Sequence, residues 1–211
     1  SGEFLSNEDE IFFNSVQLSF PEVIDGQINT WQFLESSKGV VRLIEKFGKV
    51  FSAIKYDLTG NIEKINQKYD TDREKYAYLN EIIRTSKEEG VEGEYAVDEV
   101  LWLRRNLQFI HTFLNSIIQD SQNELKSEDL VPFLKKAYKN TIEKHQGWMA
   151  QHMFGLLSRM CPTRKEFMQT LALGKENKEE TVLRDMAVFL KTLESNIQLL
   201  SKLCLENNLG K

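Results

Sequence analysis

The residues of this chain whose types and spacing could do chemistry fall in three short stretches. In Lys55-Tyr56-Asp57-Leu58-Thr59-Gly60-Asn61-Ile62-Glu63-Lys64, the polar residues Asp57, Asn61 and Lys64 stand at i, i+4 and i+7. On an α-helix that spacing places all three on one face. They offer a carboxylate acceptor, an amide that both donates and accepts, and an ammonium donor. Such a set can grip a polyhydroxyl group from several sides, the carboxylate accepting from two neighbouring hydroxyls. On spacing alone, a solvated helix face with Asp57 as a cap is the commoner outcome.

The second stretch is Leu101-Trp102-Leu103-Arg104-Arg105. An indole stacks on the apolar face of a sugar and donates one hydrogen bond, although a tryptophan in so apolar a helix is more often core. The third is His145-Gln146-Gly147-Trp148-Met149. It is expected inside a long helix, where glycine costs about 1 kcal/mol against alanine. A glycine kept there indicates close approach of another group. Trp148 suits a membrane–water interface, with packing as the alternative. His145 and His152 share a helix face but lack an evident third ligand, so no metal site is expected.

These groups need helices to position them. Between 40 and 54, apolar residues fall at Val40, Leu43, Ile44, Phe47, Val50, Phe51 and Ile54, in helical steps. Asn29 or Thr30 can cap a helix before it. Asp57, Thr59 and Gly60 suggest a turn or kink over 56–60, with helix resuming through Ile62, Ile65 and Tyr69. The run Asp70-Thr71-Asp72 reads as the cap of a further helix, and 90–93 as a loop. The strongest pattern is 95–119, whose wide stripe from Val97 to Ile117 suits a central helix. A capping signature from Ser127, with Pro132 in a first turn, opens a helix expected to run to 160. Pro162 ends it, Thr163 starts a short helix, and the last helix covers 180–205. No segment shows strand alternation. The expectation is about eight helices in one bundle: an arm or short helix over 1–25, then a single domain over 26–211.

Composition narrows the function. Hydrophobic residues make up 41% of the 211 and charged residues 28%, which is ordinary for a folded domain. A net charge of −5 weighs against nucleic-acid binding and strong adhesion to anionic membranes. Cys161 and Cys204 match no metal spacing and read as reduced thiols. No run approaches the roughly 18 apolar residues of a membrane span, and the first residues lack a basic region followed by an apolar core, so no signal peptide is expected. A cytoplasmic location is expected. There is no G-x-S-x-G, no helical metal-binding histidine pair and no phosphate-binding loop, so neither an enzyme nor a cofactor is expected.

Taken together, the three stretches resemble the glycolipid transfer protein family. The first is similar to its Asp-x-x-x-Asn-x-x-Lys element. Leu101-Trp102-Leu103-Arg104-Arg105-Asn106-Leu107 is similar to its Trp-Leu-Lys-Arg-Gly-Leu element, and Gln146-Gly147-Trp148 to its His-Gly-Trp element. Three elements in one order are specific where one alone is weak. The resemblance implies a two-layer all-α fold with an internal lipid cavity. It implies that Asp57, Asn61 and Lys64 hydrogen-bond the first sugar of a glycosphingolipid, with Trp102 stacked on it. Family members selective for ceramide-1-phosphate carry Arg at the tryptophan position, so Trp102 points to a neutral sugar. The family histidine that binds the ceramide amide aligns with Gln146. His145, one residue earlier and about 100° around a helix, is the alternative. A tyrosine that can end family members near the headgroup is expected to be missing, since the chain ends Asn207-Asn208-Leu209-Gly210-Lys211.

A ceramide carries on the order of 30 chain methylenes, so exposing both chains to water would cost about 25 kcal/mol at roughly 0.8 kcal/mol each. A carrier must therefore supply an apolar cavity. Phe51, Phe109, Phe113, Phe154 and Phe189 resemble the family's chain-lining residues, with ordinary core packing as the alternative. Trp148 and Met149, with Lys135, Lys136 and Lys139 nearby, are expected to touch membranes transiently. The expected function is glycosphingolipid transfer between membranes. A sphingolipid sensor and a ceramide-1-phosphate carrier are the alternatives.

Overall fold

The computed structural model describes residues 7–16, 18–86 and 88–209. Among them are nine α-helices and three short 3-10 turns. The helices are α1 (Phe12–Ser15), α2 (Thr30–Glu45), α3 (Ser52–Thr71), α4 (Leu79–Thr85), α5 (Val91–Gln122), α6 (Val131–Thr141), α7 (Trp148–Leu157), α8 (Arg164–Leu171) and α9 (Glu179–Glu206). The all-helical expectation holds. No described helix is long and apolar enough to cross a membrane.

α5 is the central element, with α3, α4, α6 and α9 packed against it and α2 against α3. Its stripe of Val100, Leu103, Leu107, Phe109, Ile110, Phe113, Leu114 and Ile117 is buried throughout. That is the behaviour of a helix with an apolar face too wide for one contact. The N-terminal segment joins the same core through Ile11, Phe12, Leu18 and Phe20. Asn29 caps α2 by accepting from the Gln32 amide at 2.9 Å. Thr163 and Glu166 form a reciprocal capping box on α8.

Five boundaries depart from the sequence pattern, each for a local reason. The helical steps over 40–54 are split: α2 stops at Glu45, Gly48 takes φ +72°, and the 3-10 turn Gly48–Phe51 redirects the chain into α3. Only glycine enters that left-handed region freely. The expected kink over 56–60 is absent, since α3 runs unbroken through Gly60 and leaves Asp57 free of capping duty. Asp72 ends α3 and does not open a further helix. Its carboxylate accepts from Lys75 N–H at 3.0 Å in a turn, and α4 begins only at Leu79, docked by Leu79 N–H on the Ile28 carbonyl at 3.0 Å.

The loop expected over 90–93 is mostly helix, because α5 starts at Val91. Gly93 is required there: a Cβ would lie 2.2 Å from the Ser86 carbonyl oxygen, where the end of α4 crosses the start of α5. The helix expected to run to 160 is broken in the middle. α6 ends at Thr141, a 3-10 turn covers Glu143–His145, Gln146 is extended (φ −115°, ψ 149°), and α7 begins at Trp148. Gly147 is thus the residue before α7, not a mid-helix glycine, and nothing lies within 4 Å of where its Cβ would be. The close approach inferred for it does not exist. At the break, Gln151 closes the open turn by donating its amide to the Glu143 and Gln146 carbonyls, both at 2.9 Å.

Candidate functional site

α3 and α5 lie side by side, and their facing polar residues form one cleft. Asp57, Asn61 and Lys64 come from α3 and Trp102 from α5, and all four line the same hollow of about 500 Å³ with Gln146 at its rim. The helical spacing read from the sequence is therefore realised, and the four residues assigned by resemblance converge.

Two further groups complete the cleft. Glu99 and Asn106 stand three before and four after Trp102, on the same face of α5. Both are buried. Asn61 Nδ2 donates to Glu99 Oε2 at 2.7 Å, and Lys64 Nζ donates to Glu99 Oε1 at 3.0 Å. Asn106 Nδ2 donates to Asn61 Oδ1 at 3.1 Å. Lys64 also sits over the Tyr95 ring, 5.2 Å from its centroid. Tyr95 first, then Glu99, hold its ammonium above the ordinary lysine range. Asp57 has no ion-pair partner among the described residues. Burial, and then the nearby Glu99 carboxylate, push its carboxyl up from the ordinary range.

Trp102 is half-buried. His145 meets it edge-on at 6.3 Å, and the Arg105 guanidinium lies 5.1 Å from its ring. Burial, then Arg105 and Lys144, lower His145 from its ordinary value. His145 packs edge-on against the tryptophan, and Gln146 is the member of the pair that lines the cleft. Gln146 Oε1 accepts from the Tyr138 hydroxyl at 2.5 Å. Because both residues lie in a break between helices, the 100° helical offset does not describe them.

A second, mainly apolar hollow of about 380 Å³ adjoins the first and shares Tyr56, Asp57 and Gln146 with it. Val50, Ile54, Tyr138, Met153, Phe154 and Leu157 are among its walls. The Phe154 ring stacks on Tyr138 at 3.7 Å and meets Phe109 at 6.0 Å. Phe51 meets Phe109 and Phe113 at 6.3 and 5.7 Å. Four of the five expected chain-lining rings thus form one chain of contacts leading inward from this hollow, and Phe154 is the one on its wall. Phe189 stands elsewhere, against Phe13 and Phe20.

α7 buries none of its residues. Trp148 is 75% exposed and Met149 78%, with Met153, Leu156 and Met160 also exposed nearby. Trp148 lies parallel to His152 at 5.5 Å. Lys135, Lys136 and Lys139 are exposed on α6. Among the described residues, no three His, Cys, Asp or Glu side chains gather as metal ligands. The sequence reading missed Glu99, Asn106, Tyr95 and Tyr138. The first two carried a signal: with Trp102 they repeat on α5 the one-face spacing of the α3 triad.

A cleft of hydrogen-bonding groups opening onto an apolar one, in an all-helical frame, defines a protein built to hold an amphiphile. The glycolipid transfer protein family model matches residues 28–173. The chain belongs to that family. It is 32% identical to the mouse pleckstrin homology domain-containing family A member 8 over 210 residues, covering 93% of this chain and 39% of that protein. The human counterpart is also 32% identical, over 91% of this chain and 38% of its own length. The chain thus spans well under half of these curated relatives. Among solved structures, the GLTP-fold structure of FAPP2 superposes with a TM-score of 0.83 at 30% identity, covering 96% of this chain and 98% of that one. That structure concerns how FAPP2 selects simple glycosphingolipids. The fungal glycolipid transfer protein HET-C2 superposes with a TM-score of 0.79 at 24% identity, covering 92% and 96%, which speaks to the fold.

Proposed function

We propose that this chain binds glycosphingolipids and carries them between membranes, with the sugar held between α3 and α5 and the ceramide chains in the adjoining apolar space. The observation that carries the reading is the junction of the two hollows at Tyr56, Asp57 and Gln146. A lipid whose headgroup sits among Asp57, Asn61, Lys64 and Trp102 has its linkage to the chains at that junction. Gln146 is placed to meet a ceramide amide. FAPP2, the relative whose GLTP-fold structure bears on simple glycosphingolipids, shares the fold over nearly the full length.

The chain acts without bond-making chemistry in this reading, as a carrier rather than an enzyme. The exposed Trp148 and Met149 face of α7 supplies a transient membrane contact. The unpaired thiols of Cys161 and Cys204 suit a reducing, cytoplasmic setting. An acidic chain is a poor match for nucleic acid. The test is vesicle-to-vesicle transfer with galactosylceramide and ceramide-1-phosphate in competition. Galactosylceramide is expected to move and to be displaced poorly by the phosphate lipid. Binding without movement would make the chain a sensor, and preference for the phosphate would overturn the headgroup assignment.

A further inference from the structure

We propose that Glu99 sets the charge selectivity of the headgroup cleft, occupying its ammonium and turning the site against anionic headgroups in favour of uncharged sugars. This rests on the cleft being the headgroup site. The charged residues among its described walls are Asp57, Glu63, Lys64 and Glu99. Lys64 is the cation of that set, and its Nζ is bound to Glu99 Oε1 at 3.0 Å. A phosphate or sulfate entering the cleft would meet a spent ammonium and an excess of carboxylates. A neutral sugar carries no charge for those carboxylates to repel, and its hydroxyls can donate to them. Arg105 lies against the Trp102 ring and does not line the cleft.

Stability does not explain why a carboxylate stands there. Its side chain is only 11% exposed. A buried ion pair is often no more stable than apolar residues of the same volume. Glu99 also disfavours the ionised form of Asp57 across the cleft. A charge that works against its own neighbour, at the ligand's position, is accounted for by what it excludes. The same carboxylate holds Asn61 by 2.7 Å, so it orients the amide that faces the sugar while it removes the cation that would draw an anion.

The experiment compares transfer of galactosylceramide and its sulfated counterpart, which differ by one anionic group on the same sugar, from phosphatidylcholine vesicles. The variants are Glu99→Gln, the similar-volume Glu99→Met, and Glu99→Asp, which keeps the charge. The readout is the ratio of sulfated to neutral transfer, with a thermal melt of each protein. Wild type is expected to disfavour the sulfated lipid. Gln and Met are expected to raise the ratio at least about tenfold, the scale of removing one like charge at an effective dielectric of about 20. Asp should keep the wild-type ratio. A structural role alone would lower both rates together and leave the ratio unmoved, which overturns the proposal, as does a wild-type ratio near one. Should neither neutral variant fold, the wild-type ratio rising with salt supports the proposal, and a ratio indifferent to salt overturns it. Failure of wild type to move galactosylceramide at all would instead sink the assignment of the site.

Discussion

Replacing Asp57 by asparagine should move stability and function in opposite directions. Asp57 is half-buried on α3, and Lys64, the ammonium on its own helix face, is bound to Glu99. Burial and then Glu99 raise its carboxyl above the unfolded value. The sign follows from linkage. A carboxyl raised on folding contributes stability when protonated, and that contribution is lost as pH rises through the folded value. At neutral pH the ionised group therefore destabilises the fold. Asp57→Asn removes that penalty, so the melting temperature at neutral pH should rise. The functional change is a loss. A carboxylate accepting two sugar hydroxyls makes two charge-assisted bonds of about 1.5–3 kcal/mol each, and an amide keeps one acceptor. Losing one such bond lowers affinity by about 10–150-fold. Circular dichroism melts at neutral pH and vesicle-to-vesicle transfer of galactosylceramide measure the two effects. A melting temperature that falls by several degrees would reveal a structural partner of Asp57. Transfer near the wild-type rate would remove Asp57 from the sugar site.

Three other outcomes are expected. Trp148→Ala should slow vesicle transfer more than it weakens lipid binding in detergent, with stability changed by less than about 0.5 kcal/mol, because the side chain is 75% exposed. Equal losses in both assays would make Trp148 part of the site itself. Glu89, which Lys68 first and then Tyr76 hold down at about 2, contributes stability that is present above 4.5 and lost as pH falls through about 2. Wild type and Glu89→Gln should thus differ in melting temperature at neutral pH and converge in acid; a constant gap would refute the sign. Gly93→Ala should cost about 1–3 kcal/mol through its clash with the Ser86 carbonyl, while Gly147→Ala should be nearly silent in a melt.

That the α3 triad shares one face was readable from its helical period, but spacing alone favoured a solvated face, and its assignment to a sugar came from the family resemblance. Glu99 shares that one-face spacing with Trp102 and Asn106, but its role was not readable from it. A single glutamate in an apolar stripe looks like an edge position exposed to water, and its partner Asn61 lies 38 residues away on another helix. Only the packing of α3 on α5 joins them. The break between α6 and α7 escaped for a related reason. Apolar and polar spacing continues through it, and glycine alone does not stop a helix. The break is stabilised by Gln151 reaching back to two carbonyls. A glutamine five residues past Gln146 carries no boundary signal that a reader of sequence uses.

That break matters for how chains are accommodated. The apolar hollow holds about 380 Å³, near the lower end of the roughly 300–1,000 Å³ that small-molecule sites span. A ceramide with on the order of 30 chain methylenes needs more room than this. Its inner wall is the Phe154 ring stacked on Tyr138, and Phe154 belongs to α7, which buries no residue. Parting that stack uncovers the Tyr138 and Phe109 rings beneath it, while the rest of α7 has little buried apolar surface to lose. The helices carrying the proposed headgroup residues, α3 and α5, are held by the buried core. The fold thus separates its two tasks. On the proposed function, selection would rest on side chains locked between packed helices, and capacity on the α7 wall that also carries the exposed Trp148 and Met149. A lipid carrier needs that division, since a wall rigid enough to select among headgroups would be too rigid to admit chains of different lengths.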